Sequence, residues 1–189
     1  MKHAICLAIL AALAGGLVSS GGCMRAIGEG AEKTLGPKGD YFEESPLAPS
    51  KTEKALAGYT ELKLGKLTNE FPRNTPPEFA RLFALEFEKQ ANEAGLGGMT
   101  AGKTLLANVA IIHYEHADMA DNILGPLEQV VARVELVDAD SGAVLGAGNV
   151  IGRTGKSVGL GVDWKARGLA KGIIKWVKDY SPKKGKAES

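Results

Sequence analysis

Residues 97–104 read GGMTAGKT, so Gly97, Gly102, Lys103 and Thr104 match G-x-x-x-x-G-K-[ST] letter for letter. Such a loop does chemistry because backbone N–H groups and a helix N-terminus converge on phosphate, the lysine reaches the same oxygens, and the threonine hydroxyl holds Mg²⁺. That geometry needs a strand before the loop and a helix after it. Here a capped amphipathic helical pattern comes before, and an apolar strand-like run follows. A glycine-rich helix-to-strand turn is the favoured reading of the stretch. A nucleotide-binding enzyme acting through residues 97–104 is the alternative reading of function. Around Gly155, Lys156 and Ser157 the same pattern fails, because Val150 stands at the first glycine position.

Two further groups could hold a metal. Asp138, Asp140 and Gly142 have the start of a calcium-loop spacing, but Gly142 occupies the fifth position and Asn149 the twelfth, where oxygen ligands are required. This is turn chemistry. His113 and His116 flank Glu115, yet on a strand residues three apart face opposite sides. No motif brings a nucleophile, a base and an orienting acid together. No catalytic, cofactor-binding or metal-ligating residue is assigned, and no cofactor is implied.

One residue does carry covalent chemistry. Lys2 precedes the apolar run AICLAILAALAGGLV, which ends in SSGG and Cys23. A basic start, a short apolar core and a small-residue exit describe a secretory signal, too short to span a bilayer, which needs roughly 20 apolar residues. The segment resembles a bacterial lipoprotein signal, carried by Gly21, Gly22 and Cys23, with Ser20 where the usual signal has an aliphatic residue. The resemblance implies lipidation of Cys23 and cleavage just before it. The other cysteine, Cys6, lies in the part removed, and a lone cysteine in an exported chain calls for such an explanation. Each buried methylene contributes about 0.8 kcal/mol, so several acyl chains hold a domain on a membrane. Met24 follows in place of the aspartate that retains lipoproteins at the inner membrane. The resemblance therefore points to the outer membrane, facing the periplasm.

The expected organisation is a signal peptide at 1–22, a flexible tether at 23–55, an α/β domain at 56–180 and a basic tail at 181–189. The 23 Lys and Arg against 22 Asp and Glu leave no global field for nucleic acid. Lys165, Arg167, Lys171, Lys175, Lys178, Lys183, Lys184 and Lys186 outnumber Asp163, Asp179 and Glu188 and make the last stretch locally basic, which reads first as a solvated helix face with a soluble tail and second as a contact for anionic lipid or wall polymer. The tether is rich in Gly, Pro and charge and cannot bury enough surface to order itself, with Tyr41 and Phe42 available to dock it.

Positioning comes from a β-hairpin at 130–152. Val130, Ala132, Val134 and Leu136 alternate with Val131, Arg133, Glu135 and Val137, which sets Val134 and Leu136 inward and Arg133 and Glu135 towards water. The DADSG turn follows, with Gly142 suited to φ > 0. Upstream, Leu62 and Leu64 have the opposite parity to Leu67 and Phe71, so a bulge at Gly65 is expected. Thr75, Pro76 and Glu78 form a capping signature for a helix burying Phe79, Leu82, Phe83, Phe87, Ala91 and Ala94, stopped at Gly95. Residues 104–116 favour an extended central strand, with a helical stripe through Leu105, Leu106, Val109 and Ile112 as the alternative. A last helix, capped by Asp163, carries Ala166, Leu169, Ala170, Ile173, Val177 and Tyr180 on one stripe.

The predicted fold class is α+β, in the order β-α-β-β-β-α, a mixed four-stranded sheet packed against two amphipathic helices. With the lipoprotein-like start, LAGYTELKLGKLTNE, PPEFARLF and VELVDADSGAVLGAG resemble a bacterial lipoprotein family of unknown function, over residues 55–180. More distantly they are similar to small α/β domains of envelope-assembly lipoproteins. The resemblance implies a non-enzymatic, lipid-anchored interaction or assembly module, held at the membrane through Cys23, whose partner is an envelope protein or another copy of itself.

Overall fold

The computed structural model describes residues 36–98, 101–116, 128–154 and 161–182. Within them the chain forms β1 (Lys38–Ser45), β2 (Tyr59–Asn69), α1 (Phe79–Glu93), β3 (Lys103–Tyr114), β4 (Gln129–Asp138), β5 (Val144–Arg153) and α2 (Gly161–Tyr180). The strands make one sheet in the order β1-β5-β4-β3-β2. β2 and β3 are parallel, and every other neighbouring pair is antiparallel. A parallel pair needs a long crossover, and α1 is that crossover. Both helices lie on one face of the sheet, and their buried residues share one core with the inward side chains of the strands.

β4 and β5 are the hairpin read from the alternation. Val130, Ala132, Val134 and Leu136 are fully buried, whereas Arg133 and Glu135 are exposed. Gly142 has φ +72° and open space around it, the left-handed conformation this turn requires. On β2, Leu64 pairs with Ala107 but Leu67 with Val109, so one extra residue is accommodated at Gly65 and Lys66. That bulge reconciles the two leucine parities. The Asn108 side chain occupies the space a Gly65 side chain would need and accepts the Lys66 amide at 2.9 Å.

α1 buries Phe79, Phe83, Phe87 and Ala91. Each phenylalanine contributes about 1.5–3 kcal/mol by burial, and Phe79 also meets Tyr114 edge-on at 5.4 Å. The helix ends as read. Gly95 has φ +74°, its amide donates to Asn92 O, and the Leu96 amide donates to Ala91 O, the paired bonds of a Schellman stop. Its start differs from expectation. Glu78 holds the cap position with no side-chain bond, and the Thr75 hydroxyl donates to Phe71 O at 2.9 Å instead. Pro76 O accepts the Phe79 amide, so a turn intervenes and the helix begins after the proposed capping box.

The sheet has five strands rather than four, because residues 38–45, inside the stretch read as tether, add β1 at the edge. The reason is α2. A Cβ on Gly39 would overlap the Gly168 carbonyl oxygen, and one on Gly152 would overlap the Leu169 amide. Gly168 and Gly172, one turn apart, thus let the helix backbone rest on the sheet. Tyr41 stacks on Trp176 with ring centroids 5.7 Å apart. Glu43 accepts Trp176 Nε1–H at 2.8 Å and the Tyr180 hydroxyl at 3.0 Å. α2 buries the whole expected stripe and, beyond it, Lys165, Gly168, Gly172, Ile174 and Trp176. Asp163 lies within its first turn rather than before it.

Candidate functional site

The stretch at 97–104 runs from helix to strand. Gly97 bridges to Glu61 of β2, and β3 already includes Lys103 and Thr104; Met99 and Thr100 lie outside the described residues. Lys103 Nζ pairs with Asp138 Oδ2 at 3.2 Å, and the Thr104 hydroxyl donates to Glu61 Oε2 at 2.6 Å. Both side chains that a phosphate loop would turn on its ligand are therefore strand residues bound to carboxylates. Side chains at Gly98 and Gly102 would run into Glu61 and Thr60, so these glycines admit β2.

Asp138 is the centre of a dense polar cluster. Its Oδ2 accepts the Tyr59 hydroxyl at 2.5 Å and Lys103; its Oδ1 accepts the amides of Asp140 and Ser141 and the Ser141 hydroxyl. These donors, Tyr59 foremost, then Ser141 and Lys103, hold the carboxyl well below the usual range. Burial, with the bond to Asp138, pushes the Tyr59 phenol up to about 12. General acid–base work favours a pKa near the operating pH, and both groups are displaced away from neutrality in opposite directions. The cluster ties the hairpin turn to β2 and β3.

The histidines do not converge. His113 Nε2 lies 3.4 Å from Glu115 Oε1, while His116 Nε2 bonds the Asn74 carbonyl. Glu115 also accepts the Gln129 amide and side chain. Sequence reasoning missed Lys165, which is only 2% exposed. Its ammonium pairs with Glu128, donates to Glu115 O, and sits 4.3 Å above the Tyr114 ring. Burial pushes its pKa down and Glu128 opposes that shift. The only hint lay in its place at helical spacing from Leu169, inside the apolar stripe.

The basic stretch of α2 is woven into the domain. Arg167 makes two bonds to Glu86, at 3.1 and 3.0 Å, Lys175 pairs with Asp40 at 2.5 Å, and Lys171 donates to Pro37 O. Lys183, Lys184 and Lys186 lie outside the described residues, as do Gly155, Lys156, Ser157, the signal segment and Cys23.

Among the described residues, no helix lies on the other face of the sheet. A shallow depression across β2, β3 and β4 is lined by Lys66, Thr68, Glu70, Asn108, Arg133 and Glu135. Among the described residues, none of Lys66, Glu70, Arg133 and Glu135 forms an ion pair. Arg133 and Glu135 stand at the middle of β4, the central strand. On either side lie the directly opposed apolar pairs Leu106–Val137 and Val131–Ile151, which belong to no part of the helix-side core. Beside Arg133, Asn149 donates to Glu44 at 2.6 Å while its buried Oδ1 has no partner. This face and its central charges are the candidate site.

Among the described residues no helix is long and apolar enough to cross a membrane. No protein family matches the chain, and no curated protein matches it. Solved structures similar to it include a variant of PelC from Paraburkholderia phytofirmans, a dodecamer, at 17% identity over 74% of this chain and 96% of that chain, with a TM-score of 0.49. A second PelC dodecamer from the same organism is 13% identical over the same shares, with a TM-score of 0.48.

Proposed function

We propose that this chain is a non-enzymatic lipoprotein of the cell envelope, anchored by acyl chains on Cys23 at the outer membrane, whose α+β domain is an interaction or assembly module. It is a member, on this reading, of a lipoprotein family of unknown function. One observation carries the interaction role: at the centre of the open sheet face Arg133 and Glu135 stand without ion-pair partners among the described residues, flanked by apolar pairs and beside a depression lined by Lys66, Thr68, Glu70 and Asn108. Patches of that composition are where proteins meet. The signal pattern ending at Cys23 supports the anchor and the address.

The test is photo-crosslinking in cells from an amino acid placed at Arg133, compared with one at Leu85, which is exposed on α1. Discrete protein adducts from position 133 and none from 85 are expected. The absence of any protein adduct from Arg133, Glu135 or Lys66 would sink the interaction role. Intact mass of the membrane-extracted chain tests the anchor, with a diacylated or triacylated Cys23 at the new N-terminus expected. An unmodified Cys23 in otherwise mature protein would end that part.

A further inference from the structure

We infer that the occupant of the open sheet face is a second copy of this chain, packed face to face about a two-fold axis that crosses β4 over Val134; the inference rests on the interaction role proposed above. The argument begins with the order of side chains along one strand. On the open side β4 carries Val131, Arg133, Glu135 and the largely buried Val137, 7% exposed, in turn, with Val134 fully buried beneath their midpoint. Successive residues on one face are about 6.7 Å apart. A two-fold axis lying between the sheets and perpendicular to β4 reverses the partner strand and exchanges positions equidistant from Val134. Arg133 then faces the partner's Glu135, and Glu135 faces the partner's Arg133. Val137 likewise faces the partner's Val131. Along β4 each charge meets its opposite, and apolar meets apolar.

The alternative two-fold, parallel to β4, would set Arg133 on Arg133 and Glu135 on Glu135. Like charges in a drying interface are strongly unfavourable, so the charge order selects the perpendicular axis. An isologous interface must be self-complementary in this way. Stacked sheets keep their strands within about 30° of one another, which preserves the alignment at the central strand where these four residues lie.

Size supports the same occupant. Five strands at about 4.8 Å spacing, each 8 to 12 residues long, give a footprint of about 24 Å by 30 Å, or about 700 Å². A stable interface takes about 800 Å² per partner. The charged centre fixes register, and the apolar bands supply the area. A desolvated ion pair adds little net affinity but penalises every other register.

The test uses the full chain extracted in mild detergent, with mass measured by native mass spectrometry and sedimentation. The wild type and the double swap Arg133→Glu with Glu135→Arg should both be dimers. Either single reversal places like charges opposite one another and should weaken the dimer at least tenfold, with an unchanged circular dichroism spectrum. Independently of charge, a mixture of V131C and V137C chains should cross-link through a short bismaleimide, whereas V137C alone should not, because its two copies are about 20 Å apart along the strand. A wild type that stays monomeric through the micromolar range would overturn the inference, as would single reversals that dimerise like the wild type. Should Arg133 photo-crosslink only to a different envelope protein, the self-pairing fails and the interaction role stands; with no adduct at all, both fail.

Discussion

Gly39 of β1 and Gly168 of α2 meet backbone to backbone: a Cβ on Gly39 would overlap the Gly168 carbonyl oxygen and stand 2.6 Å from the Cα of Gly172. Neither neighbour is a side chain that can swing aside. Gly39→Ala must therefore push the edge strand off the helix and loosen the bonds from Trp176 and Tyr180 to Glu43. Overpacking of this kind costs about 1–3 kcal/mol and more where backbone is involved, so a loss of at least about 2 kcal/mol is expected in urea melts. Gly58→Ala is the control. Nothing lies within 4 Å of a Cβ there and its φ is ordinary, so it should be neutral or stabilise by up to about 1 kcal/mol. Equal losses at the two positions would refute the close approach.

The alkaline limb of stability should follow the tyrosines. All four are held above their ordinary value, chiefly by burial: Tyr59 and Tyr180 are pushed up to about 12, and Tyr41 and Tyr114 are raised further. Hydrogen bonds to Asp138, Glu43 and Asp179 add to this at Tyr59, Tyr180 and Tyr41. A group whose folded pKa exceeds its unfolded one contributes stability that is whole below the unfolded value, about 10, and is lost as pH rises through the folded one. The folded protein should show no tyrosinate absorbance at pH 10. Ionisation should come between about pH 10 and 12, together with unfolding. A tyrosine titrating reversibly near pH 10 with the circular dichroism intact would contradict the arrangement.

Lys165 and Glu128 form the one ion pair among the described residues with a fully buried cation. Removing one member leaves the other charge poorly solvated, at a cost of 3–5 kcal/mol for a fully buried pair. Glu128 keeps 16% of its side-chain exposure, so Lys165→Met should cost about 2–4 kcal/mol. The double substitution with Glu128→Gln should cost less than Lys165→Met alone. A double-mutant cycle in urea reads the coupling, and strict additivity would show that the pair is not coupled.

Periodicity within ten or fifteen residues made much of this fold readable. The alternation in β4, the phenylalanine stripe of α1, the stripe of α2 and the parity change at Gly65 are all local, and each appears where expected. β1 escaped because its helix-facing residues are Gly39, Tyr41 and Glu43, which offer little apolarity to count. What recruits it is a glycine surface on α2 more than a hundred residues away. Lys165 escaped for a related reason: its burial depends on Glu128, Glu115 and Tyr114, all remote in sequence. The residues of the candidate site were legible by parity, Arg133 and Glu135 outward. That both would be left without ion-pair partners depends on what covers the sheet, and short-range pattern does not report it.

The glycine-rich turn gives a prediction of its own. Lys103 is bound to Asp138, and Thr104 to Glu61, so Lys103→Ala should leave nucleotide affinity unchanged and loosen the hairpin turn only slightly. Lys103 is more than half exposed, and an exposed pair contributes about 0–1 kcal/mol. Calorimetry with ATP and Mg²⁺ decides the first part. Tight binding abolished by the substitution would show that the turn acts as a phosphate loop after all.

The facing of β4 can be tested without any partner. Val134 is fully buried between β3 and β5, and Val134→Ala removes two methyl groups from a packed site. The lost transfer energy and the cavity together should cost about 1–3 kcal/mol. Arg133, one residue earlier, is exposed on the opposite face without an ion pair, and Arg133→Ala should fall within about 0.5 kcal/mol for the monomer. Protein concentration separates monomer stability from association, because only a dimer shifts its midpoint on dilution. At concentrations where the chain is monomeric, Val134→Ala should lower the urea midpoint and Arg133→Ala should not. At higher concentrations Arg133→Ala should lose the stabilisation that the wild type gains by pairing. A larger loss from Arg133→Ala than from Val134→Ala in the dilute monomer would mean that the strand is turned over, since a one-residue slip exchanges its two faces.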